Sequence, residues 1–137
     1  MNSQTILIVD DSPILLKVLD SQLRRAGYQT MTAEDGSRAI ELARREAPGL
    51  VIMDINFPPD RGRGVQEPWD GFRIVEWLRR TGMALETPLI VITSEELSQY
   101  EHRLMALGAA AVFRKPIPTK AFLNKVKECL NSSTQPA

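Results

Sequence analysis

Four short stretches of the chain are apolar almost without interruption: Ile6-Leu7-Ile8-Val9, Leu50-Val51-Ile52-Met53, Leu89-Ile90-Val91-Ile92 and Ala111-Val112-Phe113-Arg114. Runs this short, rich in Ile and Val and lacking polar alternation, are the pattern of strands buried on both faces. Between them the apolar residues recur at helical spacing. Over residues 13–26, Ile14, Leu15, Val18, Leu19 and Leu23 share one helical face, with Ser12 as cap, Pro13 at the first position and Gly27 as stop. Residues 36–46 repeat the pattern with Ala39, Ile40, Leu42 and Ala43. Residues 71–81 do so with Ile74, Val75 and Leu78, and residues 97–107 with Leu97, Leu104, Met105 and Leu107 before Gly108. Residues 119–130 contribute Phe122, Leu123, Val126 and Leu130. A further strand at about 29–33 has the least regular pattern.

Strand followed by helix, five times over, predicts an α/β fold: a five-stranded parallel sheet with helices on both faces. The 137 residues suit one domain, expected over residues 1–131 with a flexible polar tail at 132–137. One connection breaks the rhythm. The fifteen residues Ile55–Trp69 separate the third strand from the helix opening at Asp70-Gly71, where 2–6 residues would be usual. This loop carries Pro58-Pro59, Gly62, Gly64 and Pro68, so it is not expected to be helical throughout. It also holds Arg61 and Arg63, and is expected to face a partner.

Charge narrows the range of functions. Lys plus Arg equals Asp plus Glu, 17 of each, which argues against a general nucleic-acid binder. No run approaches the roughly 20 apolar residues of a membrane-spanning helix. The polar N-terminus leads straight into a strand and predicts no signal peptide. Cys129 is the single cysteine, so neither an internal disulfide nor a cysteine metal cluster can form, and a cytoplasmic setting is expected. Cys129 and His102 are read as a half-buried helix residue and a solvated one.

The chemistry gathers where the strands end. Asp10-Asp11 closes the first apolar run, Asp54 the second and Thr93 the third, while Lys115 follows the fourth. Ligands of open parallel sheets bind outside the carboxyl ends of the strands. Three carboxylates brought together there would repel one another, and a hard cation with oxygen ligands relieves that repulsion. Mg²⁺ is therefore the expected cofactor, with Asp11 and Asp54 as direct ligands, Asp10 acting through water and the backbone carbonyl of Asn56 adding an oxygen. Phosphoryl transfer needs in-line positioning and neutralised equatorial oxygens. The Lys115 ammonium and the Thr93 hydroxyl suit that task, with Asp54 as carboxylate nucleophile.

These motifs, in this order, resemble the response-regulator receiver domain of two-component phosphorelay systems. The resemblance is carried by Ile6-Leu-Ile-Val-Asp-Asp-Ser12, Leu50-Val-Ile-Met-Asp-Ile55, Asp70-Gly71, Thr87-Pro-Leu-Ile-Val-Ile-Thr-Ser94, Leu107-Gly-Ala-Ala110 and Phe113-Arg-Lys-Pro116. It implies a flavodoxin-like (β/α)5 fold of strand order 2-1-3-4-5. It implies Asp54 as phosphoacceptor, Asp10 and Asp11 as the acidic metal pair, Thr93 as switch hydroxyl and Lys115 as phosphate contact. It further implies a sensor histidine kinase or phosphotransfer protein as donor. An output partner would read residues 97–107, the last strand and the last helix. Two features depart from the family: the long loop 55–69, and Val112 where an aromatic residue commonly stands three positions before the lysine.

The expected function is a phosphorylation-controlled switch, not an enzyme acting on other substrates, with neither DNA binding nor membrane insertion. Three other readings stand beside it. The chain could be the receiver piece of a hybrid kinase or multidomain regulator. A Mg²⁺-dependent phosphatase with an aspartate nucleophile would typically carry Asp-x-Asp on the first strand, whereas Asp10 and Asp11 are adjacent. A structural pseudo-receiver would lack some of the five site residues, and this chain has them all.

Overall fold

The computed structural model describes residues 5–54, 76, 80, 87–93, 102, 105, 106 and 108–134. Within them, β1 (Thr5–Val9), α1 (Pro13–Arg25), β2 (Gln29–Ala33), α2 (Gly36–Glu46) and β3 (Leu50–Asp54) follow in turn, then β4 (Leu89–Thr93), β5 (Ala109–Arg114) and the C-terminal helix (Thr119–Thr134). The five strands form one sheet in the order β2-β1-β3-β4-β5, every pairing parallel. The loop 55–69 and the predicted helix 71–81, apart from Glu76 and Arg80, lie outside the described residues, as does much of 97–107.

The alternation of side chains along each strand divides the core in two. Leu7, Val9, Val51, Met53 and Val91 pack with Ala39, Leu42 and Ala43 of α2. Ile6, Ile8, Leu50, Ile52, Ile90 and Ile92 point the other way, toward Leu16, Leu19 and Leu23 of α1 and Phe122, Val126 and Leu130 of the C-terminal helix. Both faces of β1, β3 and β4 are thus covered, which explains why their sequences are apolar at consecutive positions. The edge strand β2 mixes exposed and partly covered residues before buried Ala33, with no strict alternation, and its sequence signal is correspondingly faint. Phe113 meets Phe122 edge to face, ring centroids 5.8 Å apart, and ties β5 to the C-terminal helix. That helix runs through Thr134, a turn beyond the expected 119–130.

Capping follows the sequence at α1. The Leu15 N–H donates to Ser12 Oγ at 3.3 Å, Pro13 opens the helix, and Gly27 takes φ of +100° just past its end. The expected apolar face is rotated, however. Leu16 is buried and Leu15 partly covered, while Ile14 and Val18 are 78% and 45% exposed. With Ile14, Leu15 and Leu16 consecutive, periodicity could not choose which of them turned inward; the cap and Pro13 set the phase. At α2, Asp35 caps by accepting from the Arg38 N–H at 2.8 Å, and Ala47 ends the helix at φ of +45°. A non-glycine residue in this left-handed region is strained. Ala47→Gly is expected to stabilise the chain by about 0.5–1 kcal/mol after its larger unfolded-state entropy is offset, measurable as a higher urea midpoint.

In β5 the register shifts: Leu89 pairs with Ala109 but Ile90 with Ala111, leaving exposed Ala110 as the extra residue. Beyond this bulge Thr93 pairs with Arg114, which brings Lys115 to the end of β4.

Candidate functional site

Register assembles the site. Val9 pairs with Met53, so Asp10 and Asp54 are the next residues along two adjacent strands. Asp54 pairs with Ile92, which places Thr93 one residue further on its other side. All three side chains are buried, Asp10 at 1%, Asp54 at 2% and Thr93 at 0% exposure. Asp11, one residue beyond, faces solvent. Carboxylate oxygens of Asp10, Asp11 and Asp54 lie within 4.8 Å of one another. Lys115, the fifth side chain expected at this edge of the sheet, joins these four there; Asn56 lies outside the described residues.

Lys115 enters from β5. Its ammonium donates to Asp54 Oδ2 at 2.9 Å and stands 3.6 Å from Asp10 Oδ2. Its backbone N–H donates to the Thr93 carbonyl at 2.8 Å, and the peptide bond to Pro116 is cis. The N–H bond to the Thr93 carbonyl holds the lysine beside the threonine while its side chain spans two acids.

Asp10 is held from the opposite direction. The Ser12 N–H donates to Asp10 Oδ1 at 2.9 Å, and the Asp10 N–H donates to the Ala33 carbonyl at 3.1 Å. Asp10 Oδ2 is buried without a hydrogen bond. Burial, reinforced by the nearby Asp54 charge, pushes the Asp10 carboxyl up to about 7 against the opposing Ser12 N–H and Lys115. For Lys115, burial acts to lower its pKa, but its bond to Asp54 and the charges of Asp54 and Asp10 outweigh it and raise it. The role of the Ser12 backbone was missed in the sequence, where Ser12 read only as a helix cap. An aspartate two residues before a serine can close a local side-chain-to-backbone turn, and that was the available signal.

The donor set fits a hard divalent cation. It is made of carboxylate oxygens alone, it is close enough to converge, and one of its buried oxygens lacks a hydrogen bond. Lys115→Ala would leave Asp10 and Asp54 facing each other without the ammonium. A loss of about 1–2 kcal/mol is expected in EDTA, limited because Asp10 can take up a proton, with recovery on adding Mg²⁺. Denaturation with and without the metal measures both.

A parallel 2-1-3-4-5 sheet whose carboxyl edge gathers three aspartates, a threonine and a lysine defines a phospho-receiver class of fold and site. The chain belongs to the response regulator receiver domain family, whose sequence profile matches residues 6–127. It is similar to the polar-differentiation response regulator DivK of Brucella anthropi, with 26% identity over 130 residues, covering 95% of this chain and 98% of that protein. It is similar in structure to the chemotaxis protein CheY4 of Vibrio cholerae, with a TM-score of 0.79 and 27% identity, over 93% of this chain and 98% of that one. The receiver domain of the sensor histidine kinase PA1611 of Pseudomonas aeruginosa, which has a magnesium ion coordinated in its active-site cleft, shares the fold. Its TM-score is 0.78 at 22% identity, over 94% of this chain and 98% of that one.

Proposed function

We propose that this receiver is a switch set by phosphorylation of Asp54. The observation that carries the reading is the Lys115 ammonium bound to Asp54 at 2.9 Å, beside an acidic trio within 4.8 Å. An oxygen of Asp54 attacks phosphorus. A phosphorus–oxygen bond forms as the bond to the donor atom breaks, and that atom leaves with the electron pair. The donor is a histidine nitrogen of a sensor kinase or phosphotransfer protein, or an oxygen of acetyl phosphate. Lys115 balances charge on one phosphoryl oxygen, and the Thr93 hydroxyl donates to another. Asp10, Asp11, Asp54 and the Asn56 carbonyl would hold Mg²⁺, which when bound neutralises charge on the transferring group. The catalysis is confined to the chain's own acceptance and loss of the phosphoryl group.

Phosphorylation then biases a two-state equilibrium that an output partner reads on β5, the C-terminal helix and residues 97–107, in the cytoplasm. Val112 is only partly buried and packs against the α2-side core, so coupling from Thr93 runs through the β4–β5 backbone instead of a swinging ring. The Lys115 N–H to Thr93 carbonyl bond supports that route. No role in contacting DNA is assigned to the chain.

The test is incubation with acetyl phosphate and Mg²⁺, followed by peptide mapping. A phosphoryl adduct on Asp54 that disappears in EDTA is expected. An adduct elsewhere, or one indifferent to EDTA, overturns the assignment.

A further inference from the structure

Among the described residues β2 pairs with β1 on one side and with no strand on the other. The Asp10 N–H donates to the Ala33 carbonyl, so the backbone of Ala33 faces β1. Backbone groups alternate along a strand. Met31 and Gln29 therefore face β1 as well, whereas Thr30 and Thr32 turn their N–H and carbonyl groups outward. That edge carries none of the usual guards against pairing: Gln29-Thr30-Met31-Thr32-Ala33 has no charge, no proline and no bulge. The opposite edge strand, β5, contains the Ala110 bulge and ends in Arg114.

The strand is also held in place from both sides. Thr30 Oγ1 donates to Asp20, which Arg24 holds in turn, and Thr5 Oγ1 donates to Gln29 Oε1 at 3.4 Å. Its two ends carry opposite charge. Arg24 and Arg25 close α1 shortly before the strand, and Glu34 and Asp35 follow it. Arg24 is bound to Asp20, and Asp35 caps α2. Arg25 and Glu34 are exposed and form no ion pair among the described residues.

We propose that β2 pairs antiparallel with β2 of a second copy of this chain, forming a twofold dimer whose sheet runs through both molecules. A twofold axis at Met31 sets Thr30 of each copy opposite Thr32 of the other. Both threonines have outward backbone groups, so each such pair exchanges both of its N–H···O bonds. Met31 then meets Met31 as a non-hydrogen-bonded pair, where side chains approach most closely. Each is only partly buried against the α2-side core, and each covers the open flank of the other. The same register brings Glu34 of one copy opposite Tyr28 of the other, at the strand end that Arg25 adjoins. Arg25 and Glu34 thus meet across the interface twice. An extended peptide of another protein could satisfy the backbone groups equally well. The opposite charges at the two ends of β2 favour a second copy, which on reversal brings the matching pattern.

The test is analytical ultracentrifugation of the full chain over a range of concentrations. A monomer–dimer equilibrium is expected, with slower hydrogen exchange at the Thr30 and Thr32 amides as the dimer fills. Thr32→Pro removes an outward N–H that the monomer does not use, a change an edge strand tolerates. It is expected to raise the dissociation constant about a hundredfold or more. Arg25→Glu or Glu34→Arg alone is expected to raise it about tenfold at low salt, and the two combined in one chain to restore it. Thermal unfolding checks that each variant folds, and the charge exchange decides the question even where proline disturbs the strand. Asp54→Asn is expected to associate as the wild type does, because β1 separates β2 from β3. The dimer therefore stands apart from the phosphoacceptor reading. A chain that stays monomeric up to about 1 mM overturns the inference. So does a dimer indifferent to Thr32→Pro or to the charge reversals, or one that forms only after treatment with acetyl phosphate.

Discussion

Asp54→Asn is expected to lower labelling by acetyl phosphate by roughly a thousandfold or more, to background. The amide keeps the volume of the carboxylate but is not a nucleophile toward phosphorus. It also removes the charge that Lys115 binds at 2.9 Å and that helps hold the Asp10 carboxyl high. Two further changes should therefore accompany the lost label: a lower Asp10 pKa and a lower Lys115 pKa, both readable by NMR titration. Phosphoryl uptake at the wild-type rate would mean that another side chain is the acceptor. Because Asp54 is 2% exposed and its neighbours are apolar strands, the near-isosteric change is expected to preserve the fold.

Asp10→Asn should have the largest effect on stability, and the effect should depend on pH. The Asp10 carboxyl is raised in the folded chain from 3.8 to about 7, chiefly by burial. Between those values the folded protein keeps a proton that the unfolded chain has released. Folding then takes up a proton, so stability falls as pH rises through this window and levels off above about 7. The loss is on the order of 4 kcal/mol. Asparagine has no proton to release, and its amide oxygen can still accept from the Ser12 N–H. In EDTA the variant should match the wild type near pH 4 and exceed it by about that margin at pH 8. Mg²⁺ should narrow the gap at pH 8, since a bound cation favours the charged form of Asp10. Chemical denaturation at several pH values measures the slope, and identical slopes in the two proteins would refute the burial argument.

The strands buried on both faces were legible because nothing polar interrupts them, and strand order followed from the family resemblance. The same continuity that revealed β1, β3 and β4 concealed the rotation of α1: in Ile14-Leu15-Leu16 every residue was a fair candidate for the core. Bulged Ala110 was equally hidden, because Gly108-Ala109-Ala110-Ala111 carries no periodicity from which to find an extra residue. At the site, the identities of Asp10, Asp11, Asp54, Thr93 and Lys115 could be read from their places after apolar runs. Their bonding could not. That Lys115 spans two acids, and that Ser12 restrains one of them through its backbone, depends on distances between segments far apart in sequence or on one local turn.

The two backbone bonds beside the acids make the site observable without any label. The Ser12 amide is held by the Asp10 carboxylate, and the Lys115 amide by the Thr93 carbonyl. One responds to the acidic side of the site and the other to the β4–β5 side. Their resonances and exchange rates can therefore time events separately: cation entry should register first at Ser12, whereas displacement of Thr93 should register at Lys115. A phosphorylation time course followed at these two amides would show whether occupancy and switching are one event or two.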